Sequence, residues 1–76
     1  MNETEMMELY HIIKPFKEED FKAKLEEELE GFPEDIQEDF LTFAMYQNIE
    51  DSKDNLKQGK IIRTMKDELQ KHVSIN

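Results

Sequence analysis

Residues 33 to 49, PEDIQEDFLTFAMYQNI, constrain the fold more than any other stretch of this chain. Ile36, Phe40, Phe43 and Ala44 recur at helical spacing and form one face. Leu41, Met45, Tyr46 and Ile49 fall on other sides of the same cylinder. A helix that is apolar most of the way round is a central one, covered from several directions. The sequence thus predicts a rod wrapped by the remaining segments, with Phe40, Phe43 and Tyr46 in the core. In a chain of 76 residues, which buries only about 60% of its unfolded surface, a second copy or a partner is a natural source of extra cover.

Three more segments carry the same periodicity. Asn2 with Glu5 three residues on is a capping-box arrangement. Met6, Leu9, Tyr10 and Ile13 follow it at helical spacing, and Pro15 ends that helix near Ile13. A second helix begins around Phe16 to Glu18. Glu18, Glu19 and Asp20 lie in its first turn, where negative charge suits the helix dipole, and Phe21, Leu25 and Leu29 make its stripe. Gly31 suits a left-handed cap, and Pro33 suits the first position of the third helix. The last helix starts from a cap at Asp51 or Ser52 and carries the stripe Ile62, Met65, Leu69 and Val73. Leu56 lies off that stripe, and Gly59 offers a bend to reconcile them, while Ser74 to Asn76 are expected to fray. The expected fold is all-α, a compact bundle or orthogonal array of three to four short helices. It forms a single domain over residues 1–76, with helices near 3–13, 17–30, 33–49 and 52–73.

Charge is the second constraint. Residues 1–50 hold fifteen acids and four bases, a net −11, and residues 51–76 hold four acids and six bases, a net +2, which together give −9. Such a balance repels nucleic acid and anionic membrane and favours cationic partners. The acids concentrate in residues 17–39, where eleven stand against Lys17, Lys22 and Lys24. On the second helix Glu19, Asp20, Glu26, Glu27 and Glu30 lie opposite the Phe21 stripe, and Glu34, Asp35, Glu38 and Asp39 continue the run. The plain reading is a solvated helix back. The sharper one is a ridge that docks on a basic site, because a merely soluble helix mixes signs to gain i, i+4 pairs. The C-terminal bases Lys53, Lys57, Lys60, Arg63, Lys66 and Lys71 interleave with acids and lack stacking aromatics. They are expected to pair with the acidic half, of the same chain or of a dimer mate, rather than with phosphates.

Catalytic and metal chemistry find little here. Glu8 and His11 stand at E-x-x-H spacing, but Glu68 and His72 are four apart, so the paired motif of a di-iron bundle is incomplete. The stretch from Asp51 fails as a calcium loop, with Leu56 where glycine is needed and Ile62 in place of the closing glutamate. There is no cysteine, and Ser52 and Ser74 have no catalytic surroundings. No phosphate-cradling glycine loop exists, and Ser52, followed by Lys53, does not read as a prosthetic-group serine. No cofactor, metal or enzymatic activity is expected. Neither a signal peptide nor a membrane-spanning run is visible, which makes the cytoplasm the expected compartment, the host's if the protein is viral. Met7 and Ile12, off the main stripe, predict a small exposed apolar patch.

Two functions from different classes fit. The first is a small acidic protein-binding modulator or inhibitor. Its candidate contact residues are Glu26, Glu27, Glu30, Glu34, Asp35, Glu38 and Asp39, and its partner is a larger protein with a basic surface, such as one that handles nucleic acid. Phage and mobile-element anti-defence proteins and nucleic-acid mimics are analogous in size and charge. The second is a homodimeric helical adaptor that uses Leu41, Met45, Tyr46, Ile49, Ile62, Met65 and Leu69 as its interface.

Overall fold

Asn2 closes the capping box in both directions. Its Oδ1 accepts from the Glu5 N–H at 2.8 Å, and Glu5 Oε1 accepts from the Asn2 N–H at 3.1 Å. That starts α1 (Glu3–Ile13), which ends just before Pro15 with the Lys14 N–H donating to the Tyr10 carbonyl. A computed structural model describes residues 1–51 and 56–74, without the side chains of Leu56 and of 72–74. Within it, α2 (Glu18–Leu29), α3 (Glu34–Asp51) and α4 (Leu56–Ser74) complete an all-α fold. Its radius of gyration, 11.7 Å, is close to the ~11 Å expected of a fully collapsed chain of this length.

The helix ends follow local chemistry, with some shifts from the sequence reading. Gly31 adopts φ +93° after α2, the left-handed geometry that glycine tolerates without a Cβ penalty. Pro33 stands one position earlier than expected: its carbonyl receives the first α3 bond, from the Gln37 N–H at 3.0 Å. Asp51 does not cap α4, because it is still helical and ends α3. The predicted cap at Ser52 and the fraying of Ile75 and Asn76 lie outside the described residues. So do the side chains of Leu56 and Val73. Ser74 is helical.

The helices do not wrap a central rod. In its principal contacts α1 packs on α2 and α3, and α4 packs on α2 and α3, which closes a ring in the order α1–α2–α4–α3. The shared core is Tyr10, Ile13, Phe21, Leu25, Leu29, Phe40, Leu41, Ala44 and Ile62. α3 is therefore one wall of four. Its Phe40–Leu41–Ala44 side faces inward, while Tyr46 and Ile49 remain 61% and 57% exposed. The expectation that Tyr46 belongs to the core is corrected: with neighbours on only two flanks, a helix apolar all round must leave one flank wet.

Gly59 lies in the first turn of α4, buried on the side that faces α3. α4 runs through it, and its value is closeness to α3: a Cβ there would stand 2.9 Å from Asn48 Oδ1. Asn48 is itself buried, and its Nδ2 has no hydrogen-bond partner within bonding geometry among the described residues. Beside it, burial, with some help from Asp51, pushes the Tyr10 hydroxyl above its ordinary pKa, and Asn48 acts against that shift. Gly59→Ala sets a helix-propensity gain of about 1 kcal/mol against ~1–3 kcal/mol of overpacking, so a net loss of roughly 0–2 kcal/mol is expected. In an Asn48→Ala background the obstruction is gone and the same change should stabilise by about 1 kcal/mol. Denaturant unfolding of the four proteins gives the coupling directly, and strictly additive effects would refute the contact.

Candidate functional site

Of the acids expected to form one ridge, only some border a cleft. Glu26, Glu27 and Glu30 project from α2 beside a cleft of about 660 Å³ bounded by α2, α3 and α4. Glu68 of α4 joins them at the rim. Ala23, Leu29, Leu41, Met65 and Leu69 supply the apolar lining, and Gln37 completes it. Glu34, Asp35 and Asp39 are exposed on the first turns of α3 but do not line the cleft. Glu38 is half-buried, and its Oε1 accepts from Gln70 Nε2 at a long 3.5 Å.

The local reasons for this arrangement are plain. The Phe21–Leu25–Leu29 stripe points into the core, so the back of α2 must carry Glu26, Glu27 and Glu30 outward along the cleft edge. Gln37, whose Nε2 donates to the Phe32 carbonyl at 2.8 Å, fixes the α2–α3 corner at one end. Ile62 of the α4 stripe enters the core. Met65 and Leu69, one and two turns on, reach only half-burial and line the cleft between α2, α3 and α4.

Few of the acids are neutralised from within. Lys24 stands 3.6 Å from both Glu27 and Glu28 on its own helix, with its Nζ 5.8 Å from the centre of the Phe16 ring. Glu26, Glu30 and Glu68 make no ion pair among the described residues, and no basic side chain lines the cleft. The expectation that the C-terminal bases pair with the acidic half holds only for Lys57, whose Nζ meets Glu18 Oε1 at 2.6 Å. That hydrogen bond holds the Glu18 carboxyl below its usual value and the Lys57 ammonium above its own. Lys60, Arg63, Lys66 and Lys71 make no ion pair among the described residues, and Lys53 lies outside them. Exposed pairs of this kind are screened by solvent and contribute little to stability.

The residues assigned to a dimer interface separate into three groups. Leu41 and Ile62 are consumed by the protein's own core, so they are not available to a second copy. Met65 and Leu69 line the cleft, with Leu41 at its floor. Tyr46 and Ile49 are exposed on α3 with Met45 half-buried beside them. Ile12 is exposed as expected and, with Leu9 and Phe32, lines a smaller hollow of about 230 Å³ between α1 and α2, whereas Met7 packs half-buried against the core. Among the described residues no three His, Asp or Glu side chains are grouped to hold a metal ion, and no helix is long and apolar enough to cross a membrane.

Sequence reasoning missed Glu68 and Ala23 as parts of a site. Glu68 lies in a segment of net positive charge and Ala23 is a small residue on a solvated back, so neither carries a signal along the chain. It also treated the acids of α2 and the stripe of α4 as separate features. The fold makes them the rim and the lining of one cleft. Comparison of the chain with protein-family models, curated proteins and solved structures found no match.

Proposed function

We propose that this protein is a small non-enzymatic binding module that engages a basic surface of a larger protein through its acidic α2–α3–α4 side. The observation that carries the reading is the cleft rim. Four glutamates from α2, its C-cap and α4 surround apolar side chains, and among the described residues only Glu27 of the four meets a base, Lys24. Acids placed this way steer a cationic partner into encounter, and the apolar lining then supplies the burial that holds it. Nucleic acid and anionic membrane are repelled by the net charge of −9, which leaves basic proteins as the natural partners. A modulator or inhibitor that acts by occupying a basic site needs no catalytic group. Phage and mobile-element proteins of this size and charge supply an analogy for that role.

The test is capture of the partner from the native host at two salt concentrations. Between about 0.05 and 0.5 M salt the screening length falls from roughly 14 to 4 Å, so capture should weaken strongly. Neutralising Glu26, Glu27, Glu30, Glu34 and Glu38 together should lower the affinity roughly tenfold or more at low salt, a few tenths of a kcal/mol from each charge. Indifference to both treatments refutes the reading.

A second reading rests on Tyr46 and Ile49, which leave α3 with an exposed apolar flank suited to a homodimer. Its salt dependence has the opposite sign. Two copies of charge −9 repel, so dimerisation should strengthen as salt is added. Light scattering across a salt series decides it, and a monomer at every salt and high protein concentration removes the dimer.

A further inference from the structure

We infer that the cleft between α2, α3 and α4 receives a cationic amphipathic helix. Its apolar stripe would lie on Met65 and Leu69, with its Lys or Arg side chains against Glu26, Glu27, Glu30 and Glu68. The inference rests on the function proposed above and adds the kind of partner and the place it binds.

Size comes first. At about 660 Å³ the cleft lies within the ~300–1,000 Å³ range of ligand pockets. Its edge follows α2 from Ala23 to Glu30, seven residues or ~10 Å at 1.5 Å per residue, which is two helical turns. Two turns match the i, i+3, i+4, i+7 anchors by which a helix lies in a groove. Methionine at the lining adds adaptability, since its unbranched side chain refits to different neighbours.

The other recognition modes are poorly served. Strand addition needs a free sheet edge, and the described residues contain no strand. Polyproline recognition needs an aromatic-lined groove, and among the described residues no aromatic side chain lines this one. A second copy of the chain brings −9 against −9, and anionic lipid or nucleic acid brings phosphates against glutamates. Charge complementarity therefore selects a basic occupant, and the apolar lining selects one with an apolar stripe.

The probe is a synthetic Leu/Lys peptide of about four turns, with leucines at i, i+3, i+4 and i+7. A composition-matched isomer without the stripe and a Leu/Glu version of the same pattern serve as controls. Titration is followed by calorimetry and by amide NMR shifts. The striped cationic peptide should bind roughly tenfold or more tightly than its isomer, with shifts concentrated at Ala23, Met65 and Leu69. Ala23 is exposed on α2, so Ala23→Trp plugs the cleft without disturbing the core. That variant should melt like the parent and bind the striped peptide roughly tenfold more weakly or worse. Equal, salt-sensitive binding of striped and isomeric peptides overturns the cleft assignment and leaves the function above standing, because charge alone then suffices. An Ala23→Trp protein that binds normally overturns it too, as does tight binding of the Leu/Glu peptide. No binding of either cationic peptide at low salt overturns both.

Discussion

Gln58→Glu is expected to cost about 3–5 kcal/mol at neutral pH, because it places an unpaired carboxylate against two carbonyl oxygens. Gln58 lies on α4, only 4% exposed, and its Nε2 donates to the Lys14 carbonyl at 3.0 Å and the Phe16 carbonyl at 2.7 Å. Those carbonyls flank Pro15 in the α1–α2 corner. The side chain therefore ties the α1–α2 corner to α4. Each bond is worth about 1 kcal/mol net, and stranding its acceptor adds to the loss. Gln58→Leu, which removes both bonds but brings no charge, should cost roughly 2–3 kcal/mol.

The ammonium groups of Lys14 and Lys57 do not rescue the introduced carboxylate. They are exposed and already paired, with Asp51 at 3.3 Å and Glu18 at 2.6 Å. The deficit of Gln58→Glu also has a pH signature. Burial beside carbonyls raises the introduced carboxyl's folded-state pKa above its unfolded one. The stability missing at pH 7 should therefore return as pH falls through the folded value toward the unfolded one, near pH 4. Gln58→Leu should show no such recovery relative to the parent. A Gln58→Glu protein as stable as the parent at pH 7 would refute the clamp. With ~4–11 kcal/mol of total stability expected for a chain of 76 residues, either loss is a large share.

Phe40→Ala should cost about 3–5 kcal/mol, while Tyr46→Ala on the same helix should stay within roughly 0.5 kcal/mol. Phe40 is fully buried, with its ring 6.5 Å from that of Phe43, so its removal forfeits both transfer energy and packing. Tyr46 is mostly in water already. For a domain of this size the first change should lower Tm by roughly 15–30 °C and the second by no more than a few degrees. Thermal melts followed by far-ultraviolet circular dichroism, which reports helix content, read both. Comparable losses would restore the picture of α3 as a central rod covered from every side.

These two experiments bear on what was legible beforehand. The Asn2–Glu5 box, the Phe21–Leu25–Leu29 stripe and the glycine corner at Gly31 could be read because each depends on residues within two turns of one another. Tyr46 was misread because periodicity says which residues share a side of a helix, not which side acquires a neighbour. Gln58 gave no sign at all: its partners stand 44 and 42 positions away, and a glutamine on a mostly polar helix looks like any solvated one. The candidate site was half visible. Glu26, Glu27 and Glu30 stood out through charge, and Met65 and Leu69 through spacing, but nothing along the chain says that they border one cleft.

By itself, then, the sequence determined four helices, the Asn2–Glu5 cap, the Gly31 corner, the strip that α2 turns inward, and an acidic surface on the first two-thirds of the chain. Those are local properties, set by hydrogen-bond partners and apolar residues a few positions apart. Tertiary structure decided the rest. It chose which flank of α3 is buried, brought Gly59 close to Asn48, tied the Pro15 corner to α4, and set glutamates of α2 and α4 around shared apolar side chains. Each of these depends on the relative placement of two or more helices. That placement is settled by how their side chains fit together, a property of the ring that no single segment contains.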